Sequence, residues 1–215
     1  DFGGAIAAAD KALELDKTNV QAMINRGWAK HLQGNVDEAL ADLNTAVTTE
    51  PGSLLALLNR SAVLLELKRF PEAEADLKQA EALDAEHPGV WLNWGELFWQ
   101  QRRFAEALAA YQKSLALGPD LAEGQNGLAW FYATCPEDDK RQSAEAVRLA
   151  IAANKTTQNN DWSHLDTLAA AYANAEKYAD AIRFAEAALK LAPENKKPDV
   201  EQRLALYRQN QPYRW

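Results

Sequence analysis

The sequence predicts an all-α fold of stacked antiparallel helical hairpins, and three observations carry that prediction. The chain of 215 residues is rich in alanine, leucine and charged helix formers, with only ten glycines and eight prolines. Four positions recur at a fixed distance along the chain, as they do in repeat architectures. Turn signals separate the repeated stretches. Because the common residues cost little entropy in a helix and breakers are scarce, helices are favoured over strands.

A period of 34 residues relates these four positions in successive units, and three of them carry small side chains. They are Asn25, Asn59 and Asn93; Gly27, Ser61 and Gly95; Ala39, Ala73 and Ala107; and Ala46, Ala80 and Ser114. Small side chains at helical spacing let two backbones approach closely. Each unit is therefore predicted to be a helix, a tight turn and an antiparallel helix.

Residues 1–215 are predicted to form a single domain that begins inside a repeat and is a fragment of a longer protein. From Ala129 to Ala146 the spacing is 17 residues, whereas from Gly27 to Ala39 it is 12, so five residues are inserted, within 135–141. The predicted divisions are the second helix of a truncated repeat at 2–19, regular repeats at 20–53, 54–87 and 88–121, a repeat with the inserted loop at 122–161, a regular repeat at 162–195 and a capping helix at 197–209.

Residues 25–27, 34–40 and 91–95 resemble the tetratricopeptide repeat, with its small residues, aromatics and closing proline. The resemblance extends over nearly the whole chain and implies a right-handed superhelix of about five hairpins plus the cap. The last ninety residues, which close on Pro212, Tyr213 and Arg214, resemble the C-terminal repeats of bacterial, planctomycete-like members.

Two ion pairs are predicted from the repeats themselves. Arg26 and Arg60 occupy equivalent positions, and each is followed sixteen residues later by an acid, Asp42 or Asp76. In the third and fifth units both charges are missing together. We expect each arginine to pair bidentately with its acid across the hairpin; the alternative is that all four charges are solvated.

In this family the first helix of each hairpin lines a concave face, so the resemblance implies a peptide-binding groove here. Its predicted lining combines amides, which can bond a peptide backbone, with aromatic and apolar side chains. The members are Asn25, Trp28, His31, Leu55, Leu58, Asn59, Asn93, Trp99, Asn126 and Trp130. The alternatives are that the asparagines bond within the scaffold and that the tryptophans belong to the core.

Composition disfavours several other functions. A net charge of −8 and a pI near 5.0 argue against nucleic-acid or anionic-membrane binding, which need a basic surface. There is neither an apolar run of about 20 residues nor a signal peptide, so no membrane insertion is expected. The single cysteine, Cys135, rules out internal disulfides, and a cytoplasmic location is favoured. The three histidines, His31, His87 and His164, are isolated, so no metal, cofactor or catalytic site is predicted.

The predicted function is a protein-interaction scaffold that holds a protein or peptide partner in its concave groove, and not an enzyme. Some tetratricopeptide co-chaperones clamp a C-terminal carboxylate with paired basic residues on successive first helices. The corresponding stretches here carry Ile24, Leu58, Leu92 and Trp28, so chaperone-tail binding is disfavoured. Two alternatives remain open. One is self-association through the exposed first half-repeat, around Phe2 and Ile6. The other is a non-catalytic regulatory arm of a multidomain enzyme.

Overall fold

The computed structural model describes residues 2–215 and is helical throughout, with twelve α-helices, one short 3-10 helix and no strand in that range. The α-helices are α1 Phe2–Leu15, α2 Val20–Leu32, α3 Val36–Thr49, α4 Leu54–Glu66, α5 Phe70–Leu83, α6 Pro88–Gln100, α7 Phe104–Leu117, α8 Ala122–Thr134, α9 Ser143–Thr156, α10 Trp162–Asn174, α11 Tyr178–Leu191 and α12 Lys197–Arg208. The 3-10 helix, Asp138–Lys140, lies in the stretch predicted to be an inserted loop. The all-α prediction is confirmed.

Side-chain caps fix where several first helices begin. Asn19 accepts a hydrogen bond from the Ala22 amide at 2.9 Å and so starts α2. Asp161 accepts from the amides of Ser163 and His164 at the start of α10. Each cap satisfies backbone donors that have no partner inside the helix, so the capping residue determines where the helix begins.

The turns inside the repeats share one backbone feature. Gly34, Lys68, Arg102 and Glu176 occupy the same repeat position, and all have positive φ, at 86°, 56°, 61° and 60°. A left-handed residue directly after a helix reverses the chain tightly. Only the first of the four is glycine, so the other three accept a conformation that a side chain disfavours.

The small residues of the repeat lie where helices of a hairpin touch. A methyl group added to Gly27 would lie 3.0 Å from Leu43 Cγ and 3.2 Å from the Ala39 carbonyl oxygen, which leaves no room for it. The other small residues of the period are fully buried, namely Ser61, Ala39, Ala73, Ala107, Ala46, Ala80 and Ser114, and so are Ala169, Ala181 and Ala188 in the last repeat.

The helices group into two compact units, one ending at Gln101 and one running from Arg102 to Trp215. Within the first unit, each helix contacts the next, and the first helices contact each other in the series α2, α4 and α6. Within the second unit, α8, α10 and α12 form the corresponding series. Helix α12 buries Val200, Leu204 and Tyr207 against α10 and α11. The assignment of the whole chain to one domain stays a prediction.

Replacing Lys68 by glycine is expected to stabilise the protein. The substitution removes the side chain from a left-handed residue, a gain of about 1 kcal/mol that is partly offset by the greater freedom of glycine in the unfolded chain. The expected result is a rise of about 0.5 kcal/mol in the free energy of unfolding, measured by urea denaturation. Lys78→Gly, at an exposed position inside α5, is the control and should lower it by about 1 kcal/mol. A loss of stability in Lys68→Gly would contradict this account of the turn.

Candidate functional site

Arg26 and Asp42 form a bidentate ion pair across the α2–α3 hairpin. Arg26 Nε lies 2.8 Å from one carboxylate oxygen of Asp42, and Nη2 lies 2.5 Å from the other. The Asp42 side chain also lies 3.0 Å from Lys30 Nζ, and this carboxylate is nearly buried. The hydrogen bonds to Asp42 raise the pKa of Arg26, so the guanidinium stays charged.

The second predicted pair has the same geometry. Arg60 Nε and Nη2 lie 2.8 and 2.6 Å from the two carboxylate oxygens of Asp76. Its third nitrogen, Nη1, donates to Asn44 Oδ1 at 3.1 Å, as Arg26 Nη1 donates to Asp10 at 2.8 Å. Each arginine therefore ties its own hairpin to the second helix of the preceding unit.

Sequence reasoning missed these third contacts. Asp10 and Asn44 stand 34 residues apart, and each lies sixteen residues before its arginine. The periodicity that revealed the acids downstream could therefore have revealed the acceptors upstream. The contacts belong to the scaffold and hold one repeat on the next.

The candidate binding surface of the first unit is an open cavity of about 710 Å³ between α1, α2 and α4. Four of the predicted groove residues line it: Asn25, Trp28, Leu55 and Asn59. The rest of the lining is mostly apolar and includes Phe2, alanines of α1, Ile24 and Leu32. The lining thus pairs a large apolar surface with a few amides, as peptide-binding clefts do.

The polar groups of this cavity can bond a peptide backbone. Asn25 accepts a hydrogen bond from Gln21 Nε2 at 2.8 Å, and within residues 2–215 its NH2 group has no acceptor. The Asn59 side chain makes no hydrogen bond in the described chain. Trp28 lies half-buried against His31, with ring centroids 4.9 Å apart, and His31 Nε2 lies 2.7 Å from Glu66 Oε2. His31 therefore supports Trp28 from the side, and it is not part of the cavity lining.

Three more of the predicted groove residues belong to the scaffold. Trp99 is 2% exposed and Leu58 is 6% exposed, so both belong to the core. Trp99 follows Gly95 by four residues and Leu58 precedes Ser61 by three, and residues at these spacings share the buried small-residue face. Asn93 donates to the Leu58 carbonyl oxygen and to Ser61 Oγ, both at 3.0 Å, so it joins α6 to α4 inside the scaffold.

In the second unit the predicted groove residue Trp130 is covered by the chain itself. Residues 211–215, here called the strap, leave α12 and lie against α8 and α10. The Tyr213 ring lies 5.9 Å from the Trp130 ring, and the Arg203 guanidinium lies 5.5 Å from each of them. Asn126 is half-buried, and its side-chain oxygen has no hydrogen-bond partner within residues 2–215. The repeat pattern does not predict that residues 211–215 cover Trp130.

Arg203 holds this cluster together through a buried ion pair. Its Nε lies 3.0 Å from Asp166 Oδ1, and Nη2 lies 2.7 Å from Oδ2. Burial raises the pKa of Asp166, which Arg203 opposes, and burial also raises the pKa of Tyr207, whose hydroxyl is buried beside the pair. These groups act as fixed structural charges and dipoles beneath the strap.

No arrangement suited to metal binding occurs among residues 2–215, where no three His, Cys, Asp or Glu side chains converge. The Cys135 thiol is buried, and burial raises its pKa, which disfavours the reactive thiolate. None of the helices formed by residues 2–215 has the length and apolar character required to cross a bilayer.

Comparison with known proteins agrees with the repeat seen in the structure. One tetratricopeptide repeat model matches residues 58–122, and another matches residues 8–41. The helices also superpose on a tetratricopeptide repeat protein of Thermus thermophilus with a TM-score of 0.70 at 18% identity, over 88% of this chain and 99% of the other. This chain is a tetratricopeptide repeat protein. The planctomycete-like resemblance stays a prediction.

Two curated relatives share part of this tetratricopeptide repeat protein. A DnaJ homolog subfamily C member 7 homolog of Dictyostelium discoideum is 31% identical over 47% of this chain and 17% of its own length. The Hsp70-Hsp90 organizing protein of Triticum aestivum is 30% identical over 58% of this chain and 20% of its own length. The chain thus spans about a fifth of these relatives. Tetratricopeptide repeat proteins act as protein-interaction scaffolds, and neither matching model describes a catalytic family.

A double-mutant cycle tests the ion pair of this repeat protein. Asp42→Ala alone leaves Arg26 short of its main partner and should cost about 3 kcal/mol of unfolding free energy, as breaking a buried pair does. With Arg26→Ala and the double variant, denaturation should give a coupling energy of about 1–3 kcal/mol.

The exposed pair of Arg69 and Glu72 is the matched control, since it is also bidentate but solvated. Its cycle should show much weaker coupling. Equal coupling in the two cycles would mean that burial of Asp42 contributes nothing.

Proposed function

We propose that this chain is a protein-interaction scaffold whose first unit binds a short extended segment of a partner protein in the cavity between α1, α2 and α4. The single observation that carries the proposal is the joint lining of this cavity by Trp28, Leu55, Asn25 and Asn59. Trp28 and Leu55 supply apolar surface, and the two amides supply donors and acceptors for a peptide backbone. The partner segment should therefore carry apolar side chains at its centre.

A comparison between repeats supports this use of Trp28. Trp28 follows Gly27 by one residue, and Trp130 follows Ala129, the corresponding small residue of its repeat, by one residue. The two tryptophans thus occupy the same repeat position. Against Trp130 lies an extended piece of polypeptide, the strap, with Tyr213 on the indole ring. The same position in the first unit lines an open cavity, which a segment from another protein can enter.

Self-association is the second candidate, and one observation favours it. Helix α1 buries only Ala9 among its described residues, and its exposed Phe2 lines the same cavity. The α1 face of one copy can therefore pair with that of another. Light scattering across a concentration series distinguishes the two: a constant monomer mass favours a foreign partner, and a rising mass favours self-association.

We expect two leucines of similar exposure to differ in their effect on peptide binding. Leu55 is 45% exposed and lines the cavity, whereas Leu83 is 48% exposed and lies outside it. Peptides selected from a random display library against the purified chain should bind Leu55→Ala about fivefold more weakly by calorimetry, since apolar contact is lost. They should bind Leu83→Ala as they bind the wild type.

Amide variants separate binding from folding in the same experiment. The double variant Asn25→Ala with Asn59→Ala should bind the peptides more weakly. Its free energy of unfolding should stay nearly unchanged, because neither side chain is hydrogen-bonded to another helix. Asn93→Ala should lower stability, since it loses two bonds between helices. Selected peptides that bind Leu55→Ala, Leu83→Ala and the amide variants equally well would exclude this cavity as the site.

A further inference from the structure

The strap is directed onto the second unit by the end of α12. Asn210 has a left-handed backbone with φ of 55°, and the Gln211 amide donates to the Leu206 carbonyl oxygen at 3.0 Å. This is the hydrogen-bonding pattern that ends a helix and reverses the chain, and Pro212 then prevents the helix from continuing. Residues 211–215 carry no helix and run across the last turns of α10 and α8.

Three consecutive side chains of the strap contact three separate parts of the second unit. Tyr213 lies on Trp130 and Arg203, as described above. Trp215 packs edge-on against Phe104 at the start of α7, with ring centroids 6.3 Å apart, and the Arg102 guanidinium lies 5.2 Å from its ring. Between them, the Arg214 side chain enters the gap between two helix ends.

Arg214 bonds to the open ends of α8 and α10. Its Nη1 donates to the Ala133 carbonyl oxygen at 3.1 Å, and its Nη2 donates to Asn174 Oδ1 at 3.0 Å. The Trp215 amide donates to the Thr134 carbonyl oxygen at 3.1 Å. The last carbonyls of a helix have no partner inside it and carry partial negative charge, so a cation and an amide are favoured there. The strap supplies both.

Among the described residues, the hydrogen bonds of the Arg214 side chain in the strap include no ion pair. The three oxygens that accept from the Arg214 guanidinium are all neutral, the third being the Tyr213 carbonyl oxygen. Burial and neighbouring Arg141 lower the pKa of Arg214, so holding this charge in place has a cost. A short non-helical segment with half-exposed side chains belongs to the part of a structure that opens at low free energy.

We propose that the surface beneath the strap, formed by the ends of α8 and α10 and the start of α7, is a second peptide-binding site that recognises an extended aromatic–arginine–aromatic sequence and is filled in this chain by its own residues 213–215. A partner segment of the same chemistry binds only when the strap is displaced. The proposal is independent of the cavity in the first unit, since none of its contacts lies there.

The middle position of the ligand must be arginine. A guanidinium carries N–H donors on three nitrogens in a fixed planar fork, and its Nη1 and Nη2 let Arg214 reach Ala133 and Asn174 together. A lysine ammonium is a compact point charge and cannot span both acceptors in that geometry. The flanking positions must be aromatic because they pack against the rings of Trp130 and Phe104.

The test uses the full chain and a peptide with blocked ends, acetyl-Gln-Pro-Tyr-Arg-Trp-amide, labelled with a fluorophore and followed by anisotropy. The receptor variant carries Arg214→Ala and Trp215→Ala, which weaken the binding of the strap to α7, α8 and α10 and leave the residues beneath it unchanged. An attached segment competes at an effective concentration of about millimolar, so the variant should bind the peptide at least about tenfold more tightly than the wild type does. A peptide with lysine in place of arginine should bind the variant about tenfold more weakly.

Each alternative outcome decides the matter. If the folded variant binds no peptide, or binds the arginine and lysine peptides equally, the strap is only a structural clamp and the proposal is wrong. Equal binding to wild type and variant would also overturn it, since the strap would not occupy the site. If circular dichroism shows that the double variant does not fold, the single variant Trp215→Ala takes its place. Leu55→Ala in the first unit should leave peptide binding unchanged, which separates this test from that of the proposed function.

Discussion

The close approach of paired helices at small residues is the constraint on which the structure depends. Gly27 and the buried alanines and serines that repeat its period leave no space for a larger side chain where two helices meet. This contact uses one face of each first helix, and the arginine pairs fix the second helices of successive repeats. A residue one position beyond the small residue then points away from the hairpin contact. Trp28 and Trp130 stand at that position, and so the packing of the small residues places both rings outside the hairpin contact.

The two tryptophans show two states of one kind of surface. Around Trp28 the cavity is open and lined by apolar side chains and two amides. Around Trp130 the strap covers the ring, and an arginine stacked on both rings is held by a buried carboxylate. An extended segment is therefore compatible with this repeat position, and its energetic anchors are aromatic rings together with donors aimed at exposed carbonyls. Under the two proposals above, the scaffold combines a constitutive peptide site with one that its own chain occupies.

Much of the fold was predictable because its determinants are local or periodic. Alanine at 39 and 46 returns at 73 and 80, and the acids return with their arginines, so hairpins and ion pairs follow from spacing alone. Trp99 lies in the core and not in the groove, because its distance of four residues from Gly95 puts it on the buried face of α6. The strap was not predictable. Arg214 and Ala133 are separated by 81 residues in the sequence, and the 34-residue period does not indicate a contact between them. Asn93 likewise could not be separated from Asn25 and Asn59 by sequence, since only the neighbouring helix decides which amide is used.

We propose that one repeat position serves as a polypeptide-binding surface, occupied at Trp130 and open at Trp28. Nuclear Overhauser contacts in the full chain, with tryptophan and tyrosine selectively labelled, test it most directly. We expect cross-peaks between the Tyr213 ring and the Trp130 indole, and contacts from Trp28 only to His31 and the cavity lining. Random-coil shifts for residues 211–215 with no contact to Trp130, or a strap-like set of contacts at Trp28, would contradict it.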